Sequence, residues 1–340
     1  MSDVFIRLNR SPRKASCSTQ GFGGTEFLGY RGRMRRSTIQ FLLAAAMLFS
    51  IVIATDAQLR SIAITIDDAP HNGPIGSLQE LSVMTKKFTD ILRAEKIPAV
   101  VFVNEGQFFN KADEVEDRIA ILRSWAGQGI ELGNHTFAHV GLKDTPLETY
   151  QDDFIRGEVI SRRIANETKT PLRYFRHPFL QMGETLEIEN SFDAFLERRG
   201  YRAVPITLTT EDWIYLFAYQ KTRDASEKRK ISNDYIGFAE ADVAYREKAA
   251  ERMFGRPIAQ ILLVHANEVT ADNLTRLIGM YRSRGYKFVS VEEALKDPAY
   301  AKPDKYTPTS DWLRGWSISK GVEFDPPQPP EYISAASKAQ

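Results

Sequence analysis

Residues 61–70 of this 340-residue chain have the sequence SIAITIDDAP. The apolar, β-branched run from Ser61 to Ile66 favours a buried strand, and it leads directly into two carboxylates, Asp67 and Asp68. Adjacent strand side chains point to opposite faces. If the chain turns at the end of the strand, however, the two carboxylates can enter the same cavity. One could then bind a metal ion, and the other would be free to accept a proton. Asp also commonly caps turns and helices, so the dipeptide alone leaves both interpretations open.

Similar strand-like runs recur along the chain and alternate with helical segments. The further strand-like runs are residues 99–103, 130–133, 172–175, 202–206, 260–264 and 286–289. Helical spacing of apolar residues is found at 78–94, 115–126, 147–164 and 274–281. About seven alternations predict an α/β fold with a parallel sheet, either open or closed into a barrel. Both forms place their sites at the carboxyl ends of the strands.

Imidazole and guanidinium side chains follow three other predicted strands. His135 and His139 are four residues apart, a spacing that places both on one face of a helical turn and lets them bind one divalent ion. This spacing is weak evidence alone, but with Asp68 it gives three ligands and an open position for water. Arg176 and His265 also end predicted strands, although isolated residues of these types are more often structural.

Five segments together resemble a known family. Residues 65–70, 134–139, 176–179, 212–213 and 263–265 are similar, in order, to the motifs of the NodB-type polysaccharide deacetylases, carbohydrate esterase family 4. The resemblance covers roughly residues 61–290. It implies a distorted, TIM-like (β/α) barrel of about seven parallel strands. It also implies one divalent metal ion, with zinc favoured over cobalt, nickel or manganese.

The resemblance assigns roles to the polar residues at the strand ends. It implies that the metal is held by Asp68, His135 and His139. Asp67 would be the general base, Arg176 would hold and tune that base, and His265 would be the general acid. Asp212 would orient either Arg176 or His265.

Substrate contacts follow from the same resemblance. Trp213 and Leu263 would wall the acetyl pocket, and the main-chain N–H of Phe179 would help to bind the oxyanion. The sequence departs from the family pattern at Ile66, Ala69 and Ala266. Ala69 stands where Gly is usual, so a positive φ there would strain the backbone.

The resemblance, taken with these patterns, implies an exported, metal-dependent hydrolase that removes acetyl groups from N-acetylated sugars of a chitin-like or peptidoglycan-like glycan. One alternative is an O-acetyl esterase or cyclic-amide hydrolase on the same fold. Another is a non-catalytic glycan-binding protein.

Composition restricts the partners further. The first 57 residues carry eight Lys or Arg and three acids, and the rest carries 37 basic and 41 acidic residues. An acidic body with no recognisable nucleic-acid motif argues against DNA or RNA as a partner. Because Cys17 is the sole cysteine of the sequence, we expect no internal disulfide.

The amino-terminal region is typical of a secretory signal peptide. Several arginines precede an apolar run at 39–54, and small residues follow it. We expect residues 1–57 to be this targeting region, with translation starting at Met34 and no stable membrane span after cleavage. An uncleaved anchor is the weaker alternative, because 16 apolar residues are few for a spanning helix. The mature protein would be periplasmic or secreted.

The rest of the chain divides into two parts by composition. Residues 58–296 should form the barrel, with an insertion at 214–257. Residues 297–340 are rich in proline and aromatic residues, and we expect them to form a surface strap without regular elements.

Overall fold

The computed structural model describes residues 60–74 and 76–338. At its centre is a parallel sheet in which seven strands follow one another in the order β5-β4-β3-β2-β1-β7-β6. An eighth strand, β8, pairs with the first residues of β1. The strands are β1 (Ser61–Ala69), β2 (Ala99–Val103), β3 (Glu131–Asn134), β4 (Tyr174–Phe175), β5 (Arg202–Ala203), β6 (Leu208–Thr209), β7 (Gln260–His265) and β8 (Lys287–Phe288).

The sheet curls into a distorted barrel. Its two end strands, β5 and β6, are separated in sequence by residues 204–207 alone. So short a connection requires the two ends of the sheet to approach each other. The predicted α/β class, with about seven parallel strands in a barrel-like sheet, is therefore confirmed.

Helices surround this sheet. They are α1 (Leu78–Ala94), α2 (Val115–Ala126), α3 (Leu147–Arg156), α4 (Val159–Thr168), α5 (Leu186–Arg198), α6 (Asp212–Lys221), α7 (Ala225–Phe254), α8 (Glu268–Ser283), α9 (Val291–Ala294), α10 (Trp312–Lys320) and α11 (Glu331–Lys338). Short 3-10 turns occupy Glu105–Asn110, Ala112–Glu114, Pro178–Leu180 and Pro298–Tyr300.

The helix predicted over 147–164 is instead two helices, α3 and α4, that meet at Gly157. A Cβ atom on Gly157 would lie 2.6 Å from the backbone of Thr136 and Phe137. Only glycine permits this close approach, so the junction between the two helices cannot accept a larger residue without a shift of the loop at Thr136.

The carboxyl-terminal segment contains more regular structure than its prolines suggest. It forms α10 and α11, and residue Asp311 makes a parallel bridge to Ile206 in the gap between β5 and β6. Trp312 and Trp316 are buried, and both indole N–H groups donate to the carbonyl of Ala299 at 2.9 and 3.0 Å. The tail is thus anchored to the open seam of the barrel.

The expected targeting region, residues 1–57, lies outside the described residues. Within residues 60–74 and 76–338, no helix has the length and apolar character needed to cross a membrane.

Candidate active site and metal centre

The strand register brings the predicted site residues to one edge of the sheet. Asp67 on β1 is paired with His265, the last residue of β7. On the other side of β1, Val103 pairs with Asn134, and Asn134 pairs with Phe175. The residues that follow, His135 and Arg176, therefore leave the sheet at the same carboxyl edge.

Asp68, His135 and His139 form a compact group that could hold a metal ion. Their candidate ligand atoms all lie within 4.8 Å of one another. Oδ1 of Asp68 is 3.4 Å from Nε2 of His135 and 3.2 Å from Nε2 of His139. Burial by itself would raise the pKa of Asp68, but the two imidazoles, when they are protonated, outweigh it and hold this pKa well below its usual range. The carboxyl is therefore an anion.

The donor chemistry of this group fits a divalent cation. Nδ1 of His135 lies 2.8 Å from the carbonyl of Arg176, which can only accept, so Nδ1 carries the proton of the neutral ring. Nε2 then presents a lone pair toward Asp68. Oδ1 of Asp68 is buried and, within the described residues, accepts no hydrogen bond of good geometry. Lone pairs that converge without a proton between them suit a cation, and two imidazoles with one carboxylate suit zinc and similar ions.

The two histidines are brought together by a loop and not by the predicted helical turn. The chain is irregular from His135 to His139, with positive φ at Thr136 (62°) and His139 (54°). Three polar side chains fix this loop. The Asn134 amide oxygen accepts from the N–H of Thr136, the Asp153 carboxylate accepts from Ala138, and the Asn104 amide donates to the carbonyl of His135.

Asp67 lies beside the metal group with an arginine behind it. Its Oδ2 is 3.5 Å from Nη1 of Arg176 and 3.9 Å from Nε2 of His135. The fully buried Arg176 also donates from Nη2 to the hydroxyl of Thr65 at 2.9 Å, and Thr65 donates in turn to the carbonyl of Leu262. This chain of hydrogen bonds fixes the guanidinium against the carboxylate.

Asp212 contacts His265 and not Arg176, which decides between the two alternatives left open by the sequence. Its Oδ1 is 2.7 Å from Nδ1 of His265, and its Oδ2 accepts from the backbone N–H of the same residue at 2.7 Å. Burial would lower the pKa of His265, but the charge and hydrogen bond of Asp212 outweigh it and raise this pKa to about 9. The ring is therefore protonated at neutral pH.

A cavity of about 550 Å³, here called the main cavity, joins these groups. Asp67, Asp68, His135, His139 and His265 line it on the sheet side. The predicted substrate contacts also lie in its wall, namely Phe179, Trp213 and Leu263. The Phe179 ring is 4.5 Å from that of His139, and the Trp213 indole donates to Glu211 at 2.9 Å.

The strain expected at Ala69 does not occur. The residue with positive φ is Asp68, at 65°, and Asp tolerates this region better than Ala does. His71, three residues after Asp68, is buried, with Nε2 3.1 Å from Oε1 of Glu268.

Sequence analysis missed several polar residues that complete the site. Asn72 donates to Oδ2 of Asp68 at 2.7 Å, while Thr270 and Asn267 donate to Oδ2 of Asp212. Asn267 and Thr270 closely follow His265, and Asn72 is four residues after Asp68, but no general spacing rule marks them. Only the folded arrangement identifies them.

Comparison with known proteins supports the resemblance. Residues 55–195 match the family model described as polysaccharide deacetylase. A peptidoglycan-N-acetylglucosamine deacetylase of Bacillus cereus is 21% identical over 235 residues. That match spans 68% of this chain and 66% of the relative, just under two thirds of its length.

Solved structures of low identity also match. A chitin deacetylase from Colletotrichum lindemuthianum is 23% identical, with 73% of this chain and 91% of that chain covered and a TM-score of 0.46. A carbohydrate esterase family 4 pseudoenzyme from Bacillus anthracis is 17% identical, with 69% and 65% covered and a TM-score of 0.46. The matched family model covers residues 55–195, and over this stretch, which holds the first three of the five motifs, the chain is similar to the polysaccharide deacetylases.

Proposed function

We propose that this protein is a metal-dependent hydrolase that removes acetyl groups from the N-acetylated sugars of a glycan. The observation that carries the proposal is the convergence, in one cavity, of a candidate metal site, a free carboxylate and a protonated imidazole. A site for glycan binding alone would not need a base and an acid beside a cation site. Retention of both groups therefore favours catalysis over the non-catalytic alternative.

Asp68, His135 and His139 would hold the cation. When bound, a divalent ion supplies Lewis-acid polarisation of the acetyl carbonyl and lowers the pKa of a water. Asp67, held by Arg176, accepts the proton of the attacking water through Oδ1, which has no hydrogen-bond partner within the described part of the chain. His265 donates its proton to the departing amine, because an unprotonated amide nitrogen is a poor leaving group. The N–H of Phe179 would bind the oxyanion.

The substrate class is proposed from the same site and from the relatives. The Bacillus cereus relative is named for peptidoglycan N-acetylglucosamine and the Colletotrichum relative for chitin. Trp213 and Phe179 are exposed at the cavity mouth, where aromatic side chains can stack on sugar faces. An N-acetylhexosamine polymer is the substrate that suits both features.

The proposal is tested by incubating the zinc-loaded protein with chitooligosaccharides, peptidoglycan and acetylated xylan and measuring released acetate. We expect release from one of the first two. Release from xylan alone would support the O-acetyl esterase, and no release from any of them would favour a binding protein.

We also propose that the protein is exported and organised as 1–57, 58–296 and 297–340. The support is the arginine-rich start followed by the apolar run at 39–54. Amino-terminal sequencing of protein from the extracytoplasmic fraction should find a start near Gln58. Recovery of the uncleaved chain in membranes would indicate an anchor instead.

A further inference from the structure

A second cavity, of about 510 Å³, adjoins the metal group and is here called the side cavity. It shares Asp68, Asn72 and His139 with the main cavity. Polar side chains form most of the rest of its wall, namely His71, Gln107, Asn110, Lys111 and Arg118. A group bound there would therefore lie next to the acetamido group that reacts in the main cavity.

Arg118 on α2 is the feature of the side cavity that calls for a ligand. Its side chain is only 1% exposed, and Nη2 donates to Glu114. Nε and Nη1 are buried without a hydrogen-bond partner among residues 60–74 and 76–338. Unpaired buried N–H groups of a cation are costly, so this guanidinium is suited to receive an acceptor from a bound molecule.

The wall of the side cavity carries the cations Lys111 and Arg118, and its acidic residue is the candidate metal ligand Asp68. Glu114 is shared between Arg118 and Lys111, whose Nζ is 3.1 Å from its Oε1, so one carboxylate faces two cations. Asp68 is the one acidic residue in the cavity wall, and a bound metal would neutralise it. The main cavity differs, because its wall holds five carboxylates, those of Asp67, Asp68, Glu211, Asp242 and Asp311, against the two arginines Arg246 and Arg314.

We propose that the side cavity binds a carboxylate carried by the glycan, on a sugar next to the one that is deacetylated. This inference rests on the proposed function and narrows its substrate to an acidic N-acetylated glycan. A guanidinium with free N–H donors beside a lysine recognises a carboxylate by charge-assisted hydrogen bonds. Because Asp68 and His139 line both cavities, a carboxylate bound in the side cavity would lie close to the acetamido group in the main cavity.

The test compares two tetrasaccharides of alternating N-acetylglucosamine and N-acetylmuramic acid. One carries free lactyl carboxylates, and in the other they are converted to neutral methyl amides. Calorimetric titration uses the zinc-loaded Asp67→Asn protein, which prevents turnover. We expect the carboxylated form to bind about tenfold more tightly. Arg118→Met should reduce this preference to within about twofold, and Lys111→Met should reduce it by about threefold.

Arg123→Met is the matched control, because Arg123 lies on the same helix but is exposed and paired with Glu167. It should keep the full preference. Thermal unfolding of Arg118→Met checks that this variant folds. Lys111→Met is a second test that should not disturb folding, because the Lys111 side chain is 52% exposed.

Three results would overturn the proposal: equal binding of the two tetrasaccharides, equal weakening of both by Arg118→Met, or acetate alone binding as tightly as the acidic form. Acetate release by the unaltered protein is measured separately. If the protein releases acetate but binds both tetrasaccharides equally, only the proposed carboxylate site is rejected. If it binds the carboxylated form more tightly but releases no acetate, the proposed hydrolase activity is rejected.

Discussion

Asp212 holds His265 through two hydrogen bonds, one to the ring Nδ1 and one to the backbone N–H, each of 2.7 Å. The ring is thereby fixed with Nδ1 toward Asp212, so Nε2 is the nitrogen available to the main cavity. The same contact, through charge and hydrogen bonding, raises the pKa of His265 to about 9 against the opposing effect of burial. Asp212 is therefore a positioning residue that also sets the pH range of the acid.

The first prediction concerns the alkaline limit of activity. A general acid works in its protonated form, so kcat/KM for an N-acetylated chitooligosaccharide should fall as pH rises through about 9. Asp212→Asn removes the charge that raises the pKa of His265. The alkaline limb should consequently move to lower pH by about one unit or more.

Thr270→Val is the control for this pH profile. It removes a hydrogen bond to Oδ2 of Asp212 but leaves the carboxylate charge in place. Its alkaline limb should move less than that of Asp212→Asn. If kcat/KM falls at the same alkaline pH in the unaltered protein, Asp212→Asn and Thr270→Val, then His265 does not control the loss of activity at high pH.

The second prediction separates the two adjacent carboxylates. Oδ1 of Asp68 lies within 3.4 Å of both imidazoles, whereas Asp67 is 3.9 Å from His135 and faces Arg176. Asp67→Asn should keep near-normal metal content while turnover falls by about a hundredfold or more. Asp68→Asn should lose the metal, as measured by elemental analysis after dialysis.

Chelation of the unaltered protein is the companion experiment. Activity should disappear and return on addition of a divalent ion, because no thiolate takes part in the site. Equal metal loss in Asp67→Asn and Asp68→Asn would reverse the two assignments. Full activity of thoroughly metal-free protein would reject the metal centre.

Long buried strands were predictable from the sequence, and so were three of the four two-residue strands, but β6 was not. Strand Ser61–Ala69 is buried along most of its length, and its first part, up to Ile66, is rich enough in apolar and β-branched residues to be recognised as a strand. Strand β6, Leu208–Thr209, begins two residues after the end of the run predicted at 202–206, and no turn residue separates it from that run as a strand of its own. The helical turn predicted for His135 and His139 was wrong, because no propensity rule marks Thr136 and His139 for positive φ.

The candidate site was predictable where its residues end strands and unpredictable where they come from elsewhere. Asp67, Asp68 and His265 come directly from strand ends, so their meeting follows from the parallel topology. Arg118 lies on an amphipathic helix, where an arginine normally faces solvent. It lies beside Glu114 and in the wall of the side cavity, and the spacing of apolar residues along the helix does not indicate either contact.

The third prediction concerns Gly133 on β3. A Cβ atom there would lie 2.5 Å from the Phe102 ring and 3.2 Å from the carbonyl of Tyr174. The Phe102 ring lies under the guanidinium of Arg176, at 4.9 Å from its carbon. Gly133→Ala should therefore lower the free energy of unfolding by about 1–3 kcal/mol and also reduce turnover.

Gly279 provides the matched control. It lies within α8, and a Cβ atom there meets no atom within 4 Å. Gly279→Ala should raise the free energy of unfolding by about 0.4–1 kcal/mol. Urea denaturation measures both variants. A stable Gly133→Ala protein with normal turnover would show that Phe102 and Arg176 can shift without cost.

The last prediction concerns the ion pair that fastens the carboxyl-terminal tail to the barrel. The buried Arg246 on α7 donates from Nη1 to both oxygens of Asp311, at 3.1 and 3.2 Å, and from Nε to Asp242 at 2.9 Å. Arg246→Met would leave both carboxylates buried without their cation. The free energy of unfolding should fall by about 3–5 kcal/mol, since removing one partner of a buried pair is costly.

Because Asp311 and residues 326–328 line the main cavity, the tail should become protease-sensitive and KM should rise. Lys248→Met, at an exposed position on the same helix, should leave the urea midpoint unchanged. An Arg246→Met protein with a protected tail and normal KM would show that the tail is held by Trp312 and Trp316 alone.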